Sequence, residues 1–256
     1  MAVEEVSFND VSLTLSGQQI LRGITLSLAS QTTTALLGRS GSGKTTLLRT
    51  INSLVTPTGG EVFLRDRNVA TLDPVELRRG IGYVIQESGL FPHMTIGRNV
   101  AISYELAGKP PGSARPRLEE VLEMTGLAPT EYASRYPHQL SGGQRQRVGL
   151  ARALMSDPPI LLMDEPFGAL DPITRSEIQT MLHDLLERVR KTVVIVTHDL
   201  EEALFLADRI VFLDRGAVVA DLPSHEVRTS QQPAVLEYIR AIRRADPIAA
   251  RTGDVL

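Results

Sequence analysis

The sequence contains no cysteine. Disulfides, zinc–thiolate sites and cysteine nucleophiles are thereby excluded, and the composition fits a reducing compartment. Nor does it hold an uninterrupted apolar run of the about 18 residues that a spanning helix needs. The opening stretch MAVEEVSFND is acidic, without the apolar run of a secretory signal. Any role at a membrane must then be mediated by another protein. An excess of one charge is also missing. The 27 Lys and Arg stand against 30 Asp and Glu, a net charge of −3, so no general positive field draws nucleic acid or anionic lipid to the surface. What remains is ordinary for a globular protein. The 256 residues are 42% hydrophobic and 22% charged, enough for a sizeable core in one domain, or in one domain with an insertion.

The first 30 residues read as β structure, with Ile24, Leu26 and Leu28 alternating with polar Thr25 and Ser27 and a turn predicted at 16–19. Short, continuously apolar runs follow at 34–38, 160–164 and 193–197. Strands buried on both faces of a parallel sheet have that pattern. Ile178, Met181, Leu182, Leu185, Leu186 and Val189 mark one face of a helix between two of these runs. Strands alternating with helices predict a layered α/β fold. Residues 87–139 are rich in proline and read as a mostly helical insertion, 210–222 as a hairpin turning at Asp214–Gly216, and the chain from Ser224 as helical.

Two glycine-rich loops carry the chemistry. The first, Gly38, Arg39, Ser40, Gly41, Ser42, Gly43, Lys44, Thr45 and Thr46, fits G-x-x-x-x-G-K-[ST] between a buried strand and a helix-forming stretch. Its glycines let successive backbone N–H groups turn inward as an anion nest, and the helix N-terminus adds its positive end. Lys44 is a mobile charge for β- and γ-phosphates, and Thr45 offers a hydroxyl to Mg2+. In ILLMDEP, Asp164 and Glu165 end a strand, where ligands of open α/β sheets bind. Asp164 is the candidate Mg2+ ligand and Glu165 the candidate base for an attacking water. His198 ends the next strand and is placed to contact the γ-phosphate. Gln86 ends the strand-like run IGYVIQ and offers an amide oxygen to Mg2+ or water. The second loop, Ser141, Gly142, Gly143 and Gln144, opens another helical stretch with a serine N-cap and bare backbone N–H groups. It has no lysine and no Mg2+ ligand, so it is half of a site.

These residues carry a resemblance. GRSGSGKT, Gln86, LSGGQ, ILLMDE, ALD and His198 stand in the order found in ATP-binding-cassette (ABC) ATPases, over about residues 3–225. The resemblance implies a P-loop NTPase (RecA-like) core with an N-terminal antiparallel β subdomain and an inserted helical subdomain. Core and β subdomain would be 1–86 and 157–225, the helical subdomain 87–156, and 226–256 a short helical tail without CBS domains. It implies ATP and Mg2+ as ligands and a head-to-tail homodimer. There the second loop of one copy covers the γ-phosphate held by the first loop of the other, with Asp171 at the seam. It further implies transmembrane permease subunits contacted through 86–100, including Phe91, Pro92, His93 and Met94, and a solute-binding protein in the full complex. The expected location is the cytoplasmic face of the inner membrane, peripherally.

IGYVIQESGLFPHMTI and LLMDEPFGALDPITR resemble the cassettes of bacterial importers for glycine betaine, choline and similar osmoprotectants. Systems for polar amino acids or phospholipids are the alternatives within transport. A soluble ABC ATPase of translation or DNA repair fits less well, because the 53-residue insertion at 87–139 lacks sustained heptads and there is no basic patch for nucleic acid. The family usually stacks an aromatic side chain on adenine near the first hairpin, and Leu15 stands there in this sequence.

Overall fold

The structure is a computed structural model that describes residues 4–86, 89–110 and 113–245. Two sheets organise it. β1 (Glu4–Leu15) and β2 (Gln18–Ala29) form a long antiparallel hairpin, continued by β4 (Gly59–Leu64) and β5 (Arg67–Asn68) in the order β2-β1-β4-β5. The larger sheet is built from β3 (Thr33–Leu37), β6 (Ile81–Val84), β7 (Ile160–Asp164), β8 (Thr192–Thr197), β9 (Arg209–Asp214) and β10 (Ala217–Pro223). Its order is β10-β9-β3-β8-β7-β6, parallel throughout except for β10 at the edge.

The apolar runs are strands because both faces of this sheet are covered. Leu161, Met163, Val193 and Ile195 point into one core, and Ile160, Leu162, Val194 and Val196 into the other. The first core is closed by α3 (Ile96–Leu106), α4 (Ala114–Met124), α6 (Gly142–Leu154) and α7 (Pro172–Val189), and α5 (Pro129–Tyr132) adds Tyr132 at its margin. The second core packs the antiparallel sheet, α1 (Lys44–Ile51) and Leu77 of α2 (Pro74–Arg79) against the opposite face. A third, smaller core joins α8 (Leu200–Leu206), β9, β10 and α9 (Pro233–Ala245).

The reading of the sequence holds for β3, β7, β8, α7 and the β9–β10 hairpin, except that Glu165 and His198, read as strand ends, fall one residue beyond β7 and β8, and it is adjusted elsewhere. The first turn is only Ser16–Gly17, with Gln18 and Gln19 already in β2. The strand before Gln86 stops at Val84, so Gln86 lies in the turn beyond it. Ser224–Thr229 is a 3-10 helix, and the α-helix starts at Pro233. Of the segment 86–100, Glu87 and Ser88 lie outside the described residues, as do 1–3 and the tail beyond 245.

Candidate functional site

Four neighbouring parallel strands, β3, β8, β7 and β6, carry the first loop, Asp164, Glu165, His198 and Gln86 at or just past their carboxyl ends. β3 delivers the chain to Gly38. A Cβ there would lie 2.3 Å from the carbonyl oxygen of Leu213, and Gly43 has φ +101°, so neither position accepts a side chain without strain. Ser42 is tied to the β9–β10 turn, its carbonyl accepting from the N–H of Gly216 at 3.0 Å. Lys44, the first residue of α1, is only 4% exposed. Its Nζ folds back to donate to the carbonyls of Gly38 at 2.8 Å and Arg39 at 2.9 Å. Burial pushes the Lys44 amine below its ordinary pKa, and the carboxylates of Glu165 and Asp164 oppose that shift. The loop therefore holds a cation on its own carbonyls, ready to exchange them for anionic oxygens. Among the described residues the buried Ser42 Oγ has no hydrogen-bond partner, as expected of a loop that a ligand completes.

Asp164 is the meeting point of three elements. The Thr45 hydroxyl donates to its Oδ1 at 2.6 Å, and Arg49 Nη2 and the Tyr83 hydroxyl each donate to Oδ2 at 3.2 Å. Arg49 stands one turn beyond Thr45 on α1, and Tyr83 arrives from β6. Burial pushes the Tyr83 phenol up, keeping it a donor. A hydroxyl and a carboxylate brought together beside a lysine form a hard-oxygen donor set that fits Mg2+. Asp164, Gln86, Tyr83 and Arg49 also share an open cavity of about 490 Å3.

Glu165 adopts the left-handed conformation, φ +45°. That geometry is uncommon for a residue with a Cβ and turns the chain sharply off β7. Its N–H donates to the carbonyl of Val196 at 3.0 Å, and its Oε2 lies 3.5 Å from His198 Nδ1. Gly168 is flanked by both Gln86 and Glu165: a Cβ there would lie 3.5 Å from Gln86 Nε2 and 3.7 Å from Glu165 Oε2. Glu165, His198 and Gln86 thus converge from three strand ends.

Behind Glu165 is a cavity of about 40 Å3 bordered by Arg175, Thr197, Asp199 and Glu202. Glu202 is 7% exposed, and its carboxyl is pushed up to about 8, chiefly by burial and then by the Asp199 charge. The folded protein keeps Glu202 protonated at neutral pH, whereas the unfolded chain ionises it above about 4.5. Folding therefore takes up a proton in that window, and this contribution to stability is lost as pH rises towards 8. Glu202→Gln is expected to raise Tm relative to the parent more at pH 8 than near pH 5. Thermal melts across that range check it, and an unchanged difference would contradict it.

The second loop is organised differently. Ser141 caps α6, its Oγ accepting from Gln144 N–H at 3.2 Å while Gln144 Oε1 accepts from Ser141 N–H at 2.9 Å. Gly143 presses on α7, since a Cβ would sit 2.3 Å from the Thr174 methyl. Asp171 caps α7 and accepts from Thr174 N–H at 3.1 Å. Hydrogen bonds from the Thr174 hydroxyl and N–H hold its carboxyl below the usual range. The second loop and Asp171 are thus one unit built on the α6 and α7 termini, whereas the first loop is braced by β2 and the β9–β10 turn. Leu15 ends β1 at the exposed tip of the hairpin, 52% exposed. The roles of Arg49, Tyr83 and Glu202 lie outside the sequence motifs. Only Arg49 had a local signal, its i+4 spacing from Thr45 on one helix face.

A phosphate-binding loop, an acidic strand end and a converging Gln and His on a mostly parallel sheet define a nucleoside-triphosphate-binding cassette. The chain matches the ABC transporter family over residues 21–168. It is 43% identical to the choline transport ATP-binding protein OpuBA of Bacillus subtilis, across 98% of this chain and 67% of that protein. It is 46% identical to the glycine betaine/carnitine/choline transport ATP-binding protein OpuCA of the same organism, across 87% of this chain and 59% of that protein. The sulfate/thiosulfate import ATP-binding protein CysA of Thermosynechococcus vestitus is also 46% identical, across 91% of this chain and 69% of its own length. The chain thus spans about three-fifths to two-thirds of these relatives. Among solved structures, the dimeric post-hydrolysis state of the ATP-binding cassette MJ0796 bound to ADP and Pi superposes with a TM-score of 0.76 at 36% identity, covering 86% of this chain and 98% of that one. The chain belongs to the ABC transporter family, with the ABC ATPase fold and the character of an ATP-binding protein.

Proposed function

We propose that this chain is the ATP-hydrolysing subunit of a bacterial importer for osmoprotectants such as glycine betaine, choline or related quaternary amines. It works as a head-to-tail pair of copies with one ATP sandwiched between the first loop of each and the second loop of the other. The observation that carries this is the asymmetry of the two loops. One has the lysine, the Thr45–Asp164 pair and the catalytic carboxylate, and the other has only a capped helix start built on α7. A helix start with bare N–H groups and no cation completes a phosphate site and does not make one.

In this reading Lys44 leaves the Gly38 and Arg39 carbonyls for the β- and γ-phosphates. Thr45, Asp164 and Gln86 would hold Mg2+, which when bound would neutralise negative charge on the phosphate oxygens. Glu165 takes the proton of the attacking water, and His198 contacts the γ-phosphate. Ser141, Gly142, Gly143 and Gln144 of the other copy close over that phosphate, and Asp171 lies at the seam. Binding closes the pair and hydrolysis removes the group both halves grip, a ligand-driven two-state switch.

Among the described residues no helix is long and apolar enough to cross a membrane. In this reading force passes to separate membrane subunits. A cleft of about 420 Å3 between α2, β6 and α3 suits that contact. Val75, Phe91 and Leu106 are exposed along it at 54%, 41% and 61%. Buried Asn99 pins the loop that presents Phe91, accepting from Phe91 N–H at 2.7 Å and donating to the carbonyls of Phe91, Met94 and Thr95. A permease helix would seat in this cleft on the cytoplasmic face of the membrane, with a solute-binding protein on the far side. Nucleic acid is not a partner in this reading.

The adenine side yields a prediction. Phe8 is the only aromatic residue of the β1–β2 hairpin and is buried, so Leu15 offers no ring to the base. Base–aromatic stacking contributes about 1–3 kcal/mol. Competition binding is expected to show GTP and ATP within roughly 10-fold of each other, and strong rejection of GTP would contradict the assignment of Leu15.

The function itself is tested by co-purifying the chain with its membrane subunits and binding protein in lipid and measuring ATPase stimulation by solutes. Glycine betaine or choline is expected to stimulate. Stimulation by sulfate or by polar amino acids alone would reassign the solute.

A further inference from the structure

We propose that Tyr238 is a positioning residue for His198, so that the last helix, α9, holds the γ-phosphate-sensing loop in register. The inference rests on the assignment of His198 to the γ-phosphate. Its own evidence is separate and lies in α9. Val235, Tyr238 and Ile239 fall on one face of this helix and pack into the third core with Leu37 and Phe212. Val235 is fully buried there. The Tyr238 ring meets Phe212 edge-on, with centroids 5.7 Å apart and planes at 80°, which fixes where its hydroxyl points. That hydroxyl donates to the backbone carbonyl of His198 at 2.8 Å.

Among the described residues the His198 peptide has little else to hold it. Residue 198 falls between the end of β8 and the start of α8, outside both hydrogen-bond ladders. The next residue, Asp199, is committed to capping, its carboxylate accepting from Glu201 and Glu202 N–H and its own N–H donating to Thr197 Oγ1. The His198 side chain is 61% exposed and lies 3.5 Å from Glu165. The carbonyl bond from Tyr238 is therefore a direct restraint on the peptide from which the imidazole hangs. Burial, and then the Asp199 charge, push the Tyr238 phenol up to about 12, so it remains a donor at physiological pH. The neighbouring Glu237 reaches 4.0 Å from Arg39 of the first loop, but both side chains are solvent-exposed and that contact is weak. α9 thus faces both segments that grip phosphate, and its firm contact is the one to His198.

Tyr238→Phe keeps the ring on Phe212 and deletes only the donor, so the fold is preserved. Loss of a neutral hydrogen bond predicts about a 5-fold fall in the ratio of Mg-ATP to Mg-ADP affinity, with Tm lowered by no more than roughly 4 °C and ADP affinity unchanged, because ADP has no γ-phosphate to sense. The ratio is measured by calorimetric titration of the full chain in the parent, Tyr238→Phe, His198→Ala and the double variant. If Tyr238 acts through His198, its substitution adds nothing once His198 is Ala. An unchanged ratio in His198→Ala overturns the assignment of His198 and the proposal with it. A lowered ratio in His198→Ala but not in Tyr238→Phe overturns the proposal alone. So does an equal loss of ADP affinity in Tyr238→Phe, or a full additional effect in the double variant.

Discussion

Glu165→Gln is expected to lower ATP turnover roughly 10²–10⁴-fold, the contribution of a positioned general base, while ATP stays bound and the protein accumulates as a dimer. The amide has nearly the shape of the carboxylate, so the left-handed turn at φ +45° and the N–H bond to Val196 are kept. What is lost is an oxygen basic enough to accept the water's proton. In the proposed sandwich the γ-phosphate contacts run through Lys44, His198 and the partner's Ser141, none of which is altered. Binding and closure should therefore survive when hydrolysis stops. Phosphate release under saturating Mg-ATP, read beside size-exclusion chromatography with ATP and with ADP, checks both halves. A variant that turns over normally removes Glu165 from its role, and one that loses ATP binding shows that the residue works in the ground state.

Lys44→Ala is the second large effect. Lys44 Nζ makes two short bonds to loop carbonyls, and the same two donors are available to phosphate oxygens. A hydrogen bond to a charged group contributes about 1.5–3 kcal/mol, so losing two predicts ATP affinity weaker by roughly 10²-fold or more. Lys44→Arg should not restore it, since a planar guanidinium cannot replace a compact ammonium in a site 4% exposed. Equilibrium titration with a fluorescent ATP analogue measures the loss, and affinity within a few-fold of the parent would contradict the account.

How much of this was legible in the sequence follows from how local each signal is. β3, β7 and β8 stood out because burial on both faces leaves no polar residue to break the run. β4 did not. Of Gly59–Leu64 only Val62 is buried, and Gly60 sits at φ +73°, so no alternation betrays the strand. Gln86 looked like a strand end because the apolar pattern runs through Ile85, although pairing with β7 ends at Val84. The first loop, Asp164, Glu165 and Ser141 were readable because loop, strand end and helix cap are each contiguous. Tyr83 reaches Asp164 across 81 residues and Tyr238 reaches His198 across 40, and no local pattern records such meetings. Glu202 escaped for another reason: a glutamate in the first turn of a helix reads as a solvated partner of the dipole, and only packing shows it to be buried.

The composite site is tested most directly by the structure of the Glu165→Gln protein with Mg-ATP and its membrane subunits. The account predicts Ser141 Oγ of each copy within about 3 Å of a γ-phosphate oxygen, on the ATP held by Lys44 of the other copy. ATP bound at Lys44 with Ser141 of both copies facing solvent, or with the γ-phosphate covered by the same chain's Ser141, would contradict it.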